Sequence, residues 1–217
     1  MSEPSTRLTL SLCTEKTQKW EELVRLSLQP GLGGGLPSLT KALADSGKQT
    51  LLDEVLQSDT VFSIRREFEG NQSTTTYLPF REVHFEFGTA TPSNPEEWKS
   101  NIGYVTAKLR DVTAGRYQCV EWQKTKPAVY VVGHTDTVGS KAANQTLSEK
   151  RAGAIAEALH RDSPALEICF AGRGEMDAGT KDEMESAEAR RAQVTVSSGE
   201  PPMEAQWRCL VKGVKGQ

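Results

Sequence analysis

The chain has 217 residues, with 26 Lys and Arg against 29 Asp and Glu and a formal net charge of −3. That length holds one full domain with an appendage or two small domains. The charge balance excludes the basic footprint of a nucleic-acid binder and the basic stripe that an anionic membrane surface attracts.

No stretch approaches the ~20 apolar residues of a membrane-spanning helix. Arg7 to Cys13 is too short and too polar for the apolar region of a signal peptide.

In chain order, Leu8 to Leu12 reads as a short strand and Glu15 to Leu28 as an amphipathic helix, with Trp20, Leu23, Val24 and Leu28 on one side. The run Gly31 to Gly35 lacks the Lys and Ser/Thr of a phosphate-binding loop and reads as a linker. Two short helices follow, Ser38 to Ala44 and Thr50 to Gln57, then strands at Thr60 to Phe68 and Thr74 to Phe80 around a turn at Gly70-Asn71. Residues 1–80 carry no chemistry that the sequence reveals. They read as a docking, dimerising or spacing element, a homodimer being the self-associated form.

Residues 81–198 alternate strands and helices. The expected strands are Arg81 to Phe87, Tyr117 to Trp122, Ala128 to Val132, Leu166 to Gly172 and Arg191 to Ser197. The expected helices are Pro95 to Leu109, Ser140 to His160 and Thr180 to Ala189. This order predicts the α/β class, an α+β sandwich with helices on one face of a mixed sheet. The breaker cluster Gly199-Glu200-Pro201-Pro202 opens a tail, 199–217, in which Trp207 to Val211 could add an edge strand.

One stretch of this second region carries chemistry. An apolar run, Ala128 to Val132, ends at Gly133, and His134, Thr135 and Asp136 follow where a strand spills into a loop. Ser140 can cap the next helix. At about 100° per residue, that helix carries Leu147, Ala154, Ile155, Ala158 and Leu159 on one face. Arg151 falls in the middle of this apolar stripe, with Asn144 and Ser148 close by. A guanidinium turned towards a core must find an anion, and Asp136 is the nearest candidate. One reading is an internal salt bridge between strand and helix. The other is a divided site, in which Asp136 takes a ligand ammonium and Arg151 forks onto a ligand carboxylate.

The sequence Gly133-His134-Thr135-Asp136, then Gly139, Asn144 and Leu147-Ser148-x-x-Arg151-Ala152, resembles the signature of the OmpA-like domains (the OmpA, MotB and Pal C-terminal type). Val83 to Ala90 is similar to that family's first strand and turn, Gly172-Arg173-Gly174-Glu175 to its GxGE turn, and Glu188 to Val194 to its NRRVE segment. Ala189 stands where the family has Asn, and Ser186 where it often has Arg.

The resemblance implies noncovalent binding of the peptidoglycan stem peptide, with Asp136 and Arg151 holding diaminopimelate. Asn144 and Thr137 would add hydrogen bonds, and Arg190 or Arg191 a second anion contact. It implies the periplasm or cell envelope, membrane-embedded partner proteins and no cofactor. The rival is a structural protein–protein interaction domain of an envelope, motor or secretion assembly.

His134-Thr135-Asp136 also resembles a zinc-ligand segment of di-zinc peptidases, but three histidines in the whole chain, His84, His134 and His160, cannot furnish such a centre. No nucleophile–base pair stands out, so no catalysis is expected. Cys13, Cys119, Cys169 and Cys209 lack zinc-site spacing. Cys119 and Cys169, in predicted strands, are either reduced core residues or disulfide-bonded.

Overall fold

Period-2 alternation prevails over helical spacing at the start of the chain. In the computed structural model, β1 (Thr6–Cys13) and β2 (Glu21–Leu28) form an antiparallel pair, so Glu21 to Leu28 is a strand and not the end of a helix. A β-bulge explains the misleading pattern. Leu10 pairs with Val24 and Ser11 with Glu22, which leaves Leu23 without a partner across the ladder. The extra residue sends Leu23 outward while Val24 and Leu28 face the core. One skipped step in a strand thus mimicked the spacing of an amphipathic helix.

The structure describes residues 6–14, 16–28, 36–57, 60–78, 81–120, 127–176, 178, 184–198, 201–203 and 205–210. The chain divides into two compact units. The first comprises Met1–Phe80, Arg110–Pro127 and Val196–Met203. The second comprises Arg81–Leu109, Ala128–Thr195 and Glu204–Gln217.

In the first unit the strand order is β2-β1-β3-β4, with β3 (Val61–Phe68) and β4 (Asn71–Tyr77) antiparallel. Their two-residue turn is Glu69-Gly70, both at positive φ (48° and 81°). This backbone matches the right-handed twist of a hairpin, and glycine adopts it at no steric cost. Helices α1 (Leu36–Asp45) and α2 (Gln49–Gln57) lie close to the expected positions. Leu39 and Leu43 of α1 and Val55 of α2 pack into one apolar cluster with Leu8, Leu10 and Phe62 of the sheet.

The strand expected at Tyr117 to Trp122 is not seen in its described part. Residues 117–120 are turn, and 121–126 lie outside the described residues. Buried Tyr117, a Cys13–Cys119 disulfide and a 2.8 Å bond from Trp20 Nε1 to the Cys119 carbonyl fix this segment by its side chains. A ladder is not needed there.

In the second unit, β5 (Arg81–His84) pairs antiparallel with β8 (Arg191–Ser198), whose last three residues belong to the first unit. β8 neighbours β6 (Pro127–Gly133), which runs parallel to β7 (Glu167–Gly172). The edge strand expected near Trp207 is present as β9 (Arg208–Leu210), antiparallel to β7. This mixed sheet with helices α3 (Pro95–Thr113) and α4 (Lys141–Asp162) is the expected α/β class.

The helix expected over Thr180 to Ala189 is not seen in its described part, where 184–186 have no regular secondary structure and 187–190 are turn and bend. Residues 179–183 lie outside the described residues. Cys169 pairs with Cys209 across β7 and β9, so both cysteines singled out from the sequence are disulfide-bonded, though not to each other. Trp207 packs edge-on against Tyr130 at 5.0 Å.

Candidate ligand-binding site

The site lies wholly in the second unit. It begins with the close approach of α4 to the ends of β6 and β7. A Cβ added at Gly133 would overlap the Ser148 carbonyl oxygen, and one at Gly172 would overlap the Ser148 hydroxyl. Glycine at both positions lets the helix backbone lie directly on the strand ends. Ser140 caps the helix by accepting the Ala143 amide at 3.2 Å.

The buried stripe of α4 differs from the expected one. Leu147, Ala154 and Ala158 are only half-buried, whereas Asn144, Ser148, Arg151, Ala152, Ile155, Ala156 and Leu159 are buried. The end of the helix nearest Asp136 therefore buries polar side chains.

Arg151 has no exposed surface. All three guanidinium nitrogens donate to backbone carbonyls: Nη1 to His134 at 2.8 Å, Nε to Thr89 at 2.9 Å and Nη2 to Glu86 at 3.2 Å. Its guanidinium carbon lies 5.3 Å from the centroid of the Phe85 ring. Burial pulls its pKa down to about 10, against the opposing pull of Asp136, so it stays protonated at neutral pH. Arg151 thus ties the loop after β5 to the end of β6. It is not hydrogen-bonded to Asp136.

Asp136 is 4% exposed and pairs instead with Arg190. Its Oδ2 accepts from Arg190 Nη1 at 3.0 Å and from the Ser186 amide at 3.4 Å. Arg190 Nε donates to the Phe85 carbonyl at 3.3 Å, and its guanidinium lies 5.7 Å from the Phe87 ring centroid. Ser186, where the family often has Arg, accepts the Ala189 amide on its hydroxyl at 3.2 Å and so shapes the turn that presents Arg190. Ala189, where the family has Asn, is buried.

Asn144 donates to Glu175 at 2.7 Å and to the Asp136 carbonyl at 3.3 Å. The Thr137 hydroxyl exchanges bonds with the backbone of Met184. Asp136, Asn144, Thr137, Arg151 and Arg190 therefore come together. Arg191 does not join them, because its side chain lies on Glu82 at 3.3 Å. Adjacent residues of an extended chain point to opposite sides.

Sequence reasoning missed Glu175, Ser186 and Phe87 as parts of the site. Phe87 is 48% exposed, and so is Met184. A cavity of about 590 Å³ adjoins the site, lined by Thr137, Lys141, Gln145, Arg173, Glu175 and Met176 among others.

Residues 100–192 match the family model described as "OmpA family". No curated protein matches the chain. Among solved structures, the chain is similar to the OmpA-like domain of FopA1 from Francisella tularensis subsp. tularensis SCHU S4. That match has 25% identity, covers 58% of this chain and 73% of that one, and gives a TM-score of 0.41. It is also similar to the cell wall anchor of the T6SS from Pseudomonas aeruginosa, at 20% identity over 76% of this chain and 99% of that one, TM-score 0.39. A third is the peptidoglycan-associated lipoprotein from Burkholderia pseudomallei, at 21% identity over 54% of this chain and 89% of that one, TM-score 0.38.

Proposed function

We propose that this chain, whose residues 100–192 are an OmpA-family domain, binds the stem peptide of peptidoglycan without catalysis and so anchors a protein or assembly to the cell wall. The observation that carries the reading is the Asp136–Arg190 pair at 3.0 Å, where both charges sit side by side and Arg190 keeps part of its surface in solvent. A diaminopimelate residue offers the matching charges, an ammonium for Asp136 and a carboxylate for a guanidinium. Asn144, which donates to the Asp136 backbone carbonyl and to Glu175, and Thr137, next to Asp136 in the chain, would contribute hydrogen bonds. Arg191, held on Glu82, is not among the groups brought together here.

Both disulfides fit an oxidising compartment, which supports a place in the periplasm or cell envelope. No helix among the described residues is long and apolar enough to cross a membrane.

The test is co-sedimentation with diaminopimelate-type sacculi. The wild-type chain should pellet and Asp136→Ala should stay in the supernatant. Equal pelleting of the two would place the binding elsewhere.

A second reading has its own support. Each guanidinium nitrogen of Arg151 already donates to a carbonyl and Asp136 already has a protein partner, as in a domain that keeps the fold for protein–protein contacts. Thermal melting with and without a stem peptide separates the readings, because a ligand of the native state must raise the midpoint.

A further inference from the structure

We propose that the Cys169–Cys209 bond is the closed form of a metal site: once a dithiol reductant opens it, both thiolates and the Glu167 carboxylate bind a divalent cation of the zinc type. These residues lie on the face of β7 turned away from α4, so the site stands apart from the stem-peptide reading.

Register puts the three groups together. Cys169 and Cys209 stand directly opposite each other across β7 and β9. Glu167 precedes Cys169 by two residues, so both side chains leave the same face of the strand. The alternate residues go the other way. A Cβ added at Gly153 of α4 would meet the Phe170 ring at 3.5 Å, and Arg208 pairs with Glu149 of α4 at 3.4 Å. A Glu167 carboxylate oxygen and both sulfurs all lie within 4.8 Å of one another. No other group of His, Cys, Asp and Glu among the described residues converges so closely.

The spacing suits zinc. Zn–S bonds of about 2.3 Å and Zn–O bonds of about 2.0–2.2 Å at a tetrahedral angle put sulfur and oxygen roughly 3.5 Å apart. Cys169 Sγ and Glu167 Oε1 already stand 3.7 Å apart. The two sulfurs need roughly 3.7 Å between them around the same ion, and breaking their bond lets them part. Water completes the coordination. Two thiolates select zinc over calcium or magnesium, which prefer oxygen ligands alone.

Access is one-sided. Cys209 is exposed, whereas Cys169 is 3% exposed within an apolar cluster of Ala128, Tyr130 and Trp207. Cys13, in the other disulfide, has no exposure. A reductant thiolate therefore attacks the Cys209 sulfur, and Cys169 leaves as a thiolate. The reductant's second thiol then displaces Cys209 from the mixed disulfide. Two electrons and two protons pass to the pair, and the reductant ends as its own disulfide. The cation displaces both thiol protons as it binds.

The experiment reduces the full chain with a dithiol, removes the reductant under nitrogen and titrates cadmium as a spectroscopic stand-in for zinc. The reduced wild type should develop ultraviolet thiolate-to-cadmium absorption that saturates when cation matches protein, and added zinc should bleach it. The oxidised chain should show none. Cys209→Ser, treated in the same way, should lose the absorption. Glu167→Gln alters an exposed side chain and leaves both thiols in place, so it serves as the reporter if Cys209→Ser fails to fold. It should weaken binding by about tenfold or more, since even the groups behind metal ligands are worth that much.

Four results overturn the assignment. The dithiol fails to open the Cys169–Cys209 bond, as read by alkylation and mass spectrometry. The opened chain shows no cadmium absorption. The absorption survives in Cys209→Ser. Glu167→Gln binds as tightly as wild type.

Discussion

Both units have apolar cores, but they differ in the largest groups buried beside them. In the first, the deepest side chains around β1 and α1 are hydrocarbon: Leu8, Leu10, Leu39 and Leu43 have no exposure at all. In the second, the largest fully buried side chain is a guanidinium, Arg151, with a serine, an asparagine and an aspartate buried close to it in sequence or space. An apolar core is non-directional, and its strength follows the area removed from water. A buried charge is costly unless each of its hydrogen bonds is met, so it specifies the position of every group that meets them. The first unit can therefore tolerate repacking. The second holds Glu86, Thr89 and His134 where one side chain requires them.

The largest expected effect tests that contrast directly. Arg151→Met keeps much of the volume but removes the donor to the buried His134 carbonyl and the bonds to Thr89 and Glu86, which should cost about 3–5 kcal/mol. Chemical denaturation measures it. A loss under about 1 kcal/mol would mean that water or a rearranged loop replaces the guanidinium, and the second unit would then be no more specified than the first.

The first unit supplies the counterpart. Leu39→Ala in α1 removes hydrocarbon from a fully buried position and should cost about 2–5 kcal/mol, with the value set by how far α1 and β3 can close the cavity. Leu39→Met, which roughly conserves volume, should cost less than about 1.5 kcal/mol. No such tolerant swap exists for Arg151, and Arg151→Lys should show it by recovering only part of the stability that Arg151→Met loses.

The same contrast governs what the sequence made legible. The apolar core of the first unit and the β6–α4–β7 succession followed from hydrophobic pattern, because pattern reports burial. Leu23 defeated that reading, since one bulged residue changes the parity of a strand without changing its composition. Tyr117 to Val120 failed for another reason: a disulfide and a tryptophan hydrogen bond replace the ladder, and neither has a period.

At the site, Asp136, Asn144 and Arg151 were found through the motif and through a charge on an apolar stripe. Their mutual bonding was not. Whether Arg151 reaches Asp136 or three carbonyls depends on the loop 86–89, which lies about 60 residues upstream, and single-sequence spacing says nothing of that meeting. Ser186 and Arg190 share the limitation, because a turn anchored by one hydroxyl leaves no repeat to detect.

A smaller effect is expected at the helix–strand contact. Gly133→Ala places a Cβ on the Ser148 carbonyl, a backbone atom that cannot swing away. The helix must shift, at about 1–3 kcal/mol. Affinity for the stem peptide should fall further than stability does, since Asp136 lies three residues from the displaced backbone. If stability falls and affinity holds, α4 moves without carrying the site, and its closeness to the strand ends serves packing alone.

The smallest effect compares like with like. Arg25–Glu22 on the first unit and Arg190–Asp136 on the second are both arginine–carboxylate pairs, and the former is the shorter, 2.7 Å against 3.0 Å. Distance alone would rank it the stronger. Its side chains are 48% and 43% exposed, against 14% and 6% for the other. In water-like surroundings the Coulomb gain is small and the entropy of holding two long side chains offsets it. Arg25→Ala should therefore change stability by less than about 1 kcal/mol, and added salt should erase the difference. Arg190→Ala should cost about 2–3 kcal/mol with little salt dependence, because it abandons a nearly buried carboxylate. Double-mutant cycles on the two pairs, run at low and high salt, measure both couplings. Equal couplings would mean that Asp136 is solvated in the free chain and that its charge is available to a ligand without competition from Arg190.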